Sequence, residues 1–157
     1  MKLTSLFLSF VYISIVFIVF PLAAITLNTN LNLLQITNSL TQILGLIIFS
    51  SGIVMILYCI LLFFKIGKGT PVPIEPPKEF VTSGLYKHSR NPIYIGDTLI
   101  FLGISLIFGH LLLYIYTLLA FMFYYLFIVL YEEPSLRRRF GSSYTEYCKK
   151  TPRWLKV

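Results

Sequence analysis

From Leu3 to Phe64 the chain runs 62 residues without an aspartate, glutamate, lysine or arginine. A soluble domain carries roughly one charged residue in four. Here the whole chain is 12% charged and 57% hydrophobic. A globule of 157 residues could not bury that much apolar surface. A disordered chain would be polar and poor in aromatics, whereas 17% of these residues are aromatic. A membrane protein remains. A spanning helix needs about 20 apolar residues to cross a hydrocarbon core of about 30 Å, so the run holds two spans. The polar stretch from Asn28 to Asn32 and on through Thr37-Asn38-Ser39 is the turn between them. The reading is a first helix over residues 3–27 and a second over 40–64. Pro21 kinks the first or ends its regular part.

A second uncharged run covers Thr98 to Tyr131, 34 residues. As helix it would be about 51 Å long, too much for one span and short for two. Pro92 suits a first helical turn, and Gly109-His110 is the natural break. The expected structure is therefore a tight hairpin of helices at 92–108 and 111–131, the former slightly short. The fold class is all-α and integral to the membrane, with four transmembrane helices and a short C-terminal amphipathic helix. Residues 1–64 form an N-terminal helix pair, and residues 65–157 form the functional core.

The 13 basic residues lie in three places. Lys2 stands alone. Lys65, Lys68, Lys78, Lys87 and Arg90 lie between the second and third helices. Arg137, Arg138, Arg139, Lys149, Lys150, Arg153 and Lys156 follow the fourth. The positive-inside rule makes the 65–91 loop and the tail cytosolic, and four spans return the N-terminus to the same side. A cleaved leader ending near Ala23-Ala24 is the weaker alternative, because Leu3–Phe20 exceeds the usual apolar core of 7–15 residues. The formal net charge of +7 reads as a topology determinant beside anionic lipid rather than as a nucleic-acid surface. Cys59 lies within a span and Cys148 in a cytosolic tail, so they do not pair, and no metal-ligand spacing occurs.

The 65–91 loop is dense in proline and glycine (Gly67, Gly69, Pro71, Pro73, Pro76, Pro77), which gives it a defined path. Connections of that length in compact folds are functional or disordered. Asp97, one turn inside the third helix, is a costly membrane carboxylate: either functional, or reaching headgroup water or Arg90. Glu132-Glu133 end the fourth helix against an unfavourable dipole, so a positive group should sit beside them, either Arg137 or a cationic ligand. Beyond Pro134, Leu136, Phe140, Tyr144 and Tyr147 recur at helical spacing opposite Arg137–Arg139. This is an amphipathic helix on the membrane surface or packed over the loop, weakened by Gly141. Trp154 suits an interfacial anchor.

Two blocks then carry a resemblance. Gly84-Leu85-Tyr86 with Ser89-Arg90-Asn91-Pro92-Ile93-Tyr94-Ile95-Gly96 resembles the G-x-Y…R-[HN]-P-x-Y-x-G signature of the isoprenylcysteine carboxyl methyltransferases and related phospholipid methyltransferases. Glu132-Glu133, Phe140-Gly141, Tyr144 and Tyr147, followed by Pro152-Arg153-Trp154, resemble that family's second block. The resemblance covers about residues 66–157. It implies an integral-membrane enzyme that moves a methyl group from S-adenosylmethionine to a lipophilic acceptor: prenylcysteine-like, a phospholipid amine or another lipid. It places Lys78, Glu79, Phe80, Val81, Tyr86, Asn91, Pro92, Ile93, Tyr94 and Glu132 on the cofactor. Arg90, Tyr94 and Glu133 are the catalytic candidates, with Asp97 a further candidate base. Asn91 replaces a frequent His, and Lys78 another. Ile128 stands where the carboxyl-methylating members place an arginine that grips the substrate carboxylate, a task isoleucine cannot perform. Two other classes stay open on the residues alone: an NADPH-dependent membrane lipid reductase, and a non-enzymatic module binding lipid or a partner.

Overall fold

The computed structural model describes residues 3–67 and 81–155. Six α-helices follow in order: α1 (Leu3–Ser14), α2 (Phe20–Asn30), α3 (Ser39–Leu62), α4 (Pro92–Phe108), α5 (Leu111–Phe127) and α6 (Glu133–Lys150). Among the described residues there is no strand, only an isolated antiparallel bridge between Gln35 and His110. Three stretches are long and apolar enough to cross a membrane: Phe10–Asn30, Ser39–Ile66 and Leu111–Lys150. The shorter apolar helix Pro92–Phe108 is the fourth expected span, and its bounds match the sequence reading. Large apolar side chains such as Phe10, Leu40, Val54, Phe123 and Leu130 are exposed on the outside of the bundle, the surface a lipid solvent would cover.

Two prolines sit inside rods that do not break. Pro21 follows a π-helical turn at Ile15–Val19, and Pro134 follows another at Ile128–Glu132. Proline lacks an N–H, and its ring collides with the carbonyl four residues back. A widened turn just before it relieves both problems without ending the helix. In the first case Phe20 N–H bonds Ile15 O instead of Val16 O. The released Val16 carbonyl accepts from the Tyr116 hydroxyl at 2.7 Å. In the second case α5 runs on through the turn into α6, so the tail helix continues the fourth span.

The α3–α4 contact is the most extensive helix pairing. Glycines seven residues apart on each helix face one another in antiparallel order. A Cβ at Gly45 would lie 2.8 Å from Gly103 O, and one at Gly52 would lie 2.7 Å from Gly96 O. Small residues permit this approach of backbones, which in lipid is a main source of helix association. Ile100, Phe101 and Tyr124 form the adjoining core, with Phe17 from the first rod and Phe49 and Ile53 from α3 packed against it.

The end carrying the 31–38 connection is closed by backbone bonds. Asn38 caps α3 in a reciprocal capping box with Thr41 (2.9 and 3.0 Å). Buried Asn28 accepts from Leu112 N–H at 3.0 Å, satisfying an orphan donor of α5, and donates to Leu33 O at 3.2 Å. Ile36 N–H bonds Gly109 O at 2.9 Å. Gly109 ends α4 in the left-handed conformation (φ 69°), and a side chain there would strike the Ile36 carbonyl.

Candidate active site

The opposite end gathers the charged residues. Segment 81–91 is seated by Val81 and Tyr86, which bury against Cys59 of α3 with Leu62, Phe63 and Ile93 around them. A short 3₁₀ turn, Gly84–Lys87, aims Tyr86 inward. The tail comes back over this segment because α6 bends at Gly141, whose φ 53° and ψ −124° suit only glycine. Tyr144 and Tyr147 are buried, while Arg137, Arg138 and Arg139 are exposed. The amphipathic expectation therefore holds, and the apolar stripe covers the loop. The Tyr147 hydroxyl donates to Tyr86 O at 2.6 Å.

Two further strands of bonding fix the tail. Arg90 N–H bonds Pro152 O at 2.9 Å, and Asn91 Nδ2 donates to Arg153 O at 2.9 Å. Buried Ser89 donates to the same carbonyl at 3.2 Å and accepts from Asn91 N–H at 3.1 Å. Arg153 then forks onto Glu133, Nε to Oε1 at 2.8 Å and Nη2 to Oε2 at 3.1 Å. Arg90 reaches Glu133 Oε1 at 3.0 Å and donates to Cys148 Sγ at 2.9 Å. Trp154 stacks on Phe121 of α5, ring centroids 5.1 Å apart.

The two neighbouring glutamates thus have opposite surroundings. Residues 111–131 alone make about 31 Å of helix, so the part beyond Tyr131 lies outside a core of about 30 Å. There burial alone would raise the Glu133 carboxyl. The Arg153 hydrogen bond and the charges of Arg90, Arg153 and Arg137 outweigh it and hold it below the ordinary carboxylate range. Glu132 points the other way and accepts from the Tyr94 hydroxyl at 2.6 Å. Burial raises it, the Tyr94 hydrogen bond opposes that only in part, and Glu133 raises it further. Among the described residues no lysine or arginine pairs with Glu132.

The sequence expected a positive partner for the pair and offered Arg137 or a ligand. The partners of Glu133 are Arg153 and Arg90, and Arg137 is exposed and acts only through its charge. Arg153 was legible only as part of the Pro152-Arg153-Trp154 block, and Ser89 and Cys148 carried no signal for their contacts. Of the expected site residues, Val81, Tyr86, Arg90, Asn91, Pro92, Ile93, Tyr94, Glu132 and Glu133 gather at this end. Lys78, Glu79 and Phe80 lie outside the described residues. Ile128 is fully buried in the π turn one helical turn before Glu132. Asp97 projects from α4 among the phenols of Tyr12, Tyr94 and Tyr124.

A helical membrane protein with its polar and charged groups drawn into one end of a hairpin is the class these features define. Residues 40–143 match the family model for phospholipid methyltransferase. The chain belongs to that family, and it is accordingly a membrane protein of the methyltransferase class that acts on lipids. The match begins near the start of α3, so it includes the second span, the whole first block and the second block as far as Phe140-Gly141. No curated protein and no solved structure gives a significant match.

Proposed function

We propose that the protein transfers a methyl group from S-adenosylmethionine to a lipophilic acceptor at the cytosolic face of the membrane. The observation that carries this reading is the contrast between the two glutamates. Glu133 is neutralised by two guanidinium groups, while half-buried Glu132 has, among the described residues, a tyrosine hydroxyl and no cation as partners. A carboxylate partly withdrawn from water and without a cation is a receptor for one, and the cofactor carries both an ammonium and a sulfonium. The residues present therefore fit the group. When bound, it supplies a methyl on a positively charged sulfur, ready for in-line displacement.

The chain's own groups do the rest. Glu132 holds the cationic part, and Tyr94 fixes the rotamer of Glu132. Tyr86, Asn91, Pro92 and Ile93 line the same end, with Lys78, Glu79, Phe80 and Val81 continuing the cofactor surface as the family resemblance has it. Arg90, Glu133 and Arg153 staple the tail across the loop, which excludes water and holds the reacting groups close, where positioning and desolvation supply most of the acceleration. In this reading the helices of residues 1–64 brace the hairpin, and residues 65–157 carry the chemistry. The acceptor reaches the site sideways from the lipid.

The test is calorimetric binding on detergent-purified protein, with S-adenosylmethionine and NADPH measured separately. Saturable binding of the first and none of the second is expected. Glu132→Gln should weaken it at least tenfold, the scale of a lost charge-assisted contact of about 1.5–3 kcal/mol. No saturable binding by the parent protein would sink the methyltransferase reading, and NADPH binding in its place would favour a reductase. An undiminished Glu132→Gln would move the cofactor elsewhere.

A further inference from the structure

We propose that Arg137, Arg138 and Arg139 form a docking surface for the head groups of anionic phospholipid, and that docking there holds α6 over the donor site. The second half rests on the methyltransferase reading, and the first stands without it. All three arginines are exposed. No acid occurs between Glu133 and Glu146, and Glu146 pairs with Lys149 at 3.7 Å. Glu133 is held by Arg90 and Arg153, so among the described residues no carboxylate pairs with the triplet. The 68–80 segment offers no surplus negative charge either, since Lys68 and Lys78 match Glu75 and Glu79. Three adjacent guanidiniums repel one another, and an anion from outside the chain relieves that repulsion.

The position of the triplet says which anion. α5 runs unbroken through the π turn into α6, so its lipid-facing side can be followed outward. Phe123, Phe127 and Tyr131 form a ladder along that side, with ring centroids 6.1 and 5.2 Å apart, and Phe123 and Tyr131 are exposed. A tyrosine at the end of an apolar face marks the boundary of the hydrocarbon. Arg138 follows Tyr131 by seven residues, close to two turns, so it lies on the same face about 10 Å further out. The head-group layer is about 5–8 Å thick on each side, and a long arginine side chain reaches back into it. Arg139 stacks over the Phe140 ring, 5.2 Å from its centroid. That stacking leaves the edge of the guanidinium free to fork onto phosphate oxygens. A zwitterionic head group brings an ammonium that offsets its own phosphate, whereas an anionic head group does not. Each arginine near an anionic surface contributes about a fivefold preference.

The triplet also sits where it can act on the site. On one side of it Glu133 carries Arg90 and Arg153. On the other side lies the bend at Gly141, beyond which the Tyr147 hydroxyl donates to Tyr86 O at 2.6 Å. The segment that bears the arginines therefore links the carboxylate staple to the lid over the Tyr86 turn. One end of it is fixed by α5. Docking the arginines on the membrane surface fixes its tilt, so that both contacts hold together.

The experiment uses full-length protein in phosphatidylcholine vesicles. Trp154 is the sole tryptophan and stacks on Phe121 at the same end, so energy transfer from it reports lipid gathered there. Phosphatidylglycerol with a pyrene-labelled acyl chain should quench Trp154 at a mole fraction about fivefold or more below that needed with pyrene-labelled phosphatidylcholine. The difference should shrink in about 1 M salt, where the screening length is about 3 Å. Equal quenching by the two lipids would overturn the docking surface even if no variant folded, and would leave the face to a protein partner or to the 68–80 segment. The combined variant Arg137→Gln, Arg138→Gln, Arg139→Gln keeps good helix formers and should abolish the preference. Lys149→Gln with Lys150→Gln, beyond the bend, should keep most of it, and loss of the preference there instead would place the surface elsewhere. For the second half, S-adenosylhomocysteine affinity is measured by calorimetry on vesicles with and without one part in three of phosphatidylglycerol. The parent should bind it at least threefold more tightly with the anionic lipid, and the arginine variant equally in both. A parent affinity independent of lipid would overturn the coupling and leave the docking surface standing. A parent that binds neither S-adenosylhomocysteine nor S-adenosylmethionine would sink the methyltransferase reading and the coupling with it, while the tryptophan measurement still decides the surface.

Discussion

Glu132 and Glu133 are separated by one peptide bond and by the direction of their side chains. Glu133 accepts from two guanidiniums at 2.8–3.1 Å, in a site where its own side chain is 8% exposed. Removing one member of a buried ion cluster leaves the others uncompensated. Glu133→Ala should therefore destabilise the tail docking by about 3 kcal/mol, read as a lowered thermal midpoint in detergent. The pH dependence has a definite sign. The folded carboxyl is held below its ordinary value, so the unfolded state binds the proton more readily. The stabilisation is complete above the ordinary carboxylate pKa of about 4.3. It is lost as pH falls through the lower folded value. The gap in thermal midpoint between the parent and Glu133→Gln should stay constant from neutral pH to about 5 and close in the acid range below about 4. A gap that widens in acid would contradict the assignment.

At the scale of elements, two glycines act for different reasons. Gly52 lies in α3 where a Cβ would meet Gly96 O at 2.7 Å and Ile100 Cγ1 at 2.9 Å. Gly52→Ala must push α3 and α4 apart, at about 1–3 kcal/mol for overpacking of a tight contact. Gly141 has nothing within 4 Å of a Cβ, and its φ of 53° is the constraint. Gly141→Ala should also cost about 1–3 kcal/mol, entirely as backbone strain. The two are separable by proteolysis. Gly141→Ala should expose the tail to trypsin at Arg137–Arg139 while the bundle stays folded, whereas Gly52→Ala should lower the cooperative thermal midpoint. The helix at 92–108 could be read from the sequence because both its ends are signalled, Pro92 by its ring and Gly109 by its left-handed turn. The continuation through Pro134 could not, since a kink and a widened π turn begin from the same proline. The pairing of Glu133 with Arg153 was equally hidden. An i+4 neighbour such as Arg137 is visible in spacing, while a partner twenty residues on depends on the reversal at Gly141. The glycines at 45, 52, 96 and 103 look like helix-weakening residues until the two helices are set side by side.

Taken whole, the molecule has two unlike ends. The end around residues 28–38 and 109–112 is closed by backbone and amide bonds and carries no acid, lysine or arginine. The other holds Lys65, Lys87, Arg90, the glutamate pair and the basic tail. Each lysine or arginine retained near a span biases its loop toward the cytosol. The charged end should therefore face the compartment in which soluble nucleoside cofactors are found, and the acceptor should arrive from the inner leaflet. Cysteine accessibility checks this directly. Native Cys59 is fully buried, so a Cys148→Ser background suffices. In that background Leu31→Cys, on a residue 62% exposed in the uncharged connection, should react with a membrane-impermeant maleimide added to intact cells. Arg138→Cys, on the exposed basic face of α6, should react only after permeabilisation. The opposite pattern would invert the molecule and put the site on the wrong side for its donor. Labelling of both positions in intact cells would mean that α4 does not complete its span. That outcome would bear on the chemistry as well, because Tyr94, whose hydroxyl holds Glu132, sits in the first turn of that helix.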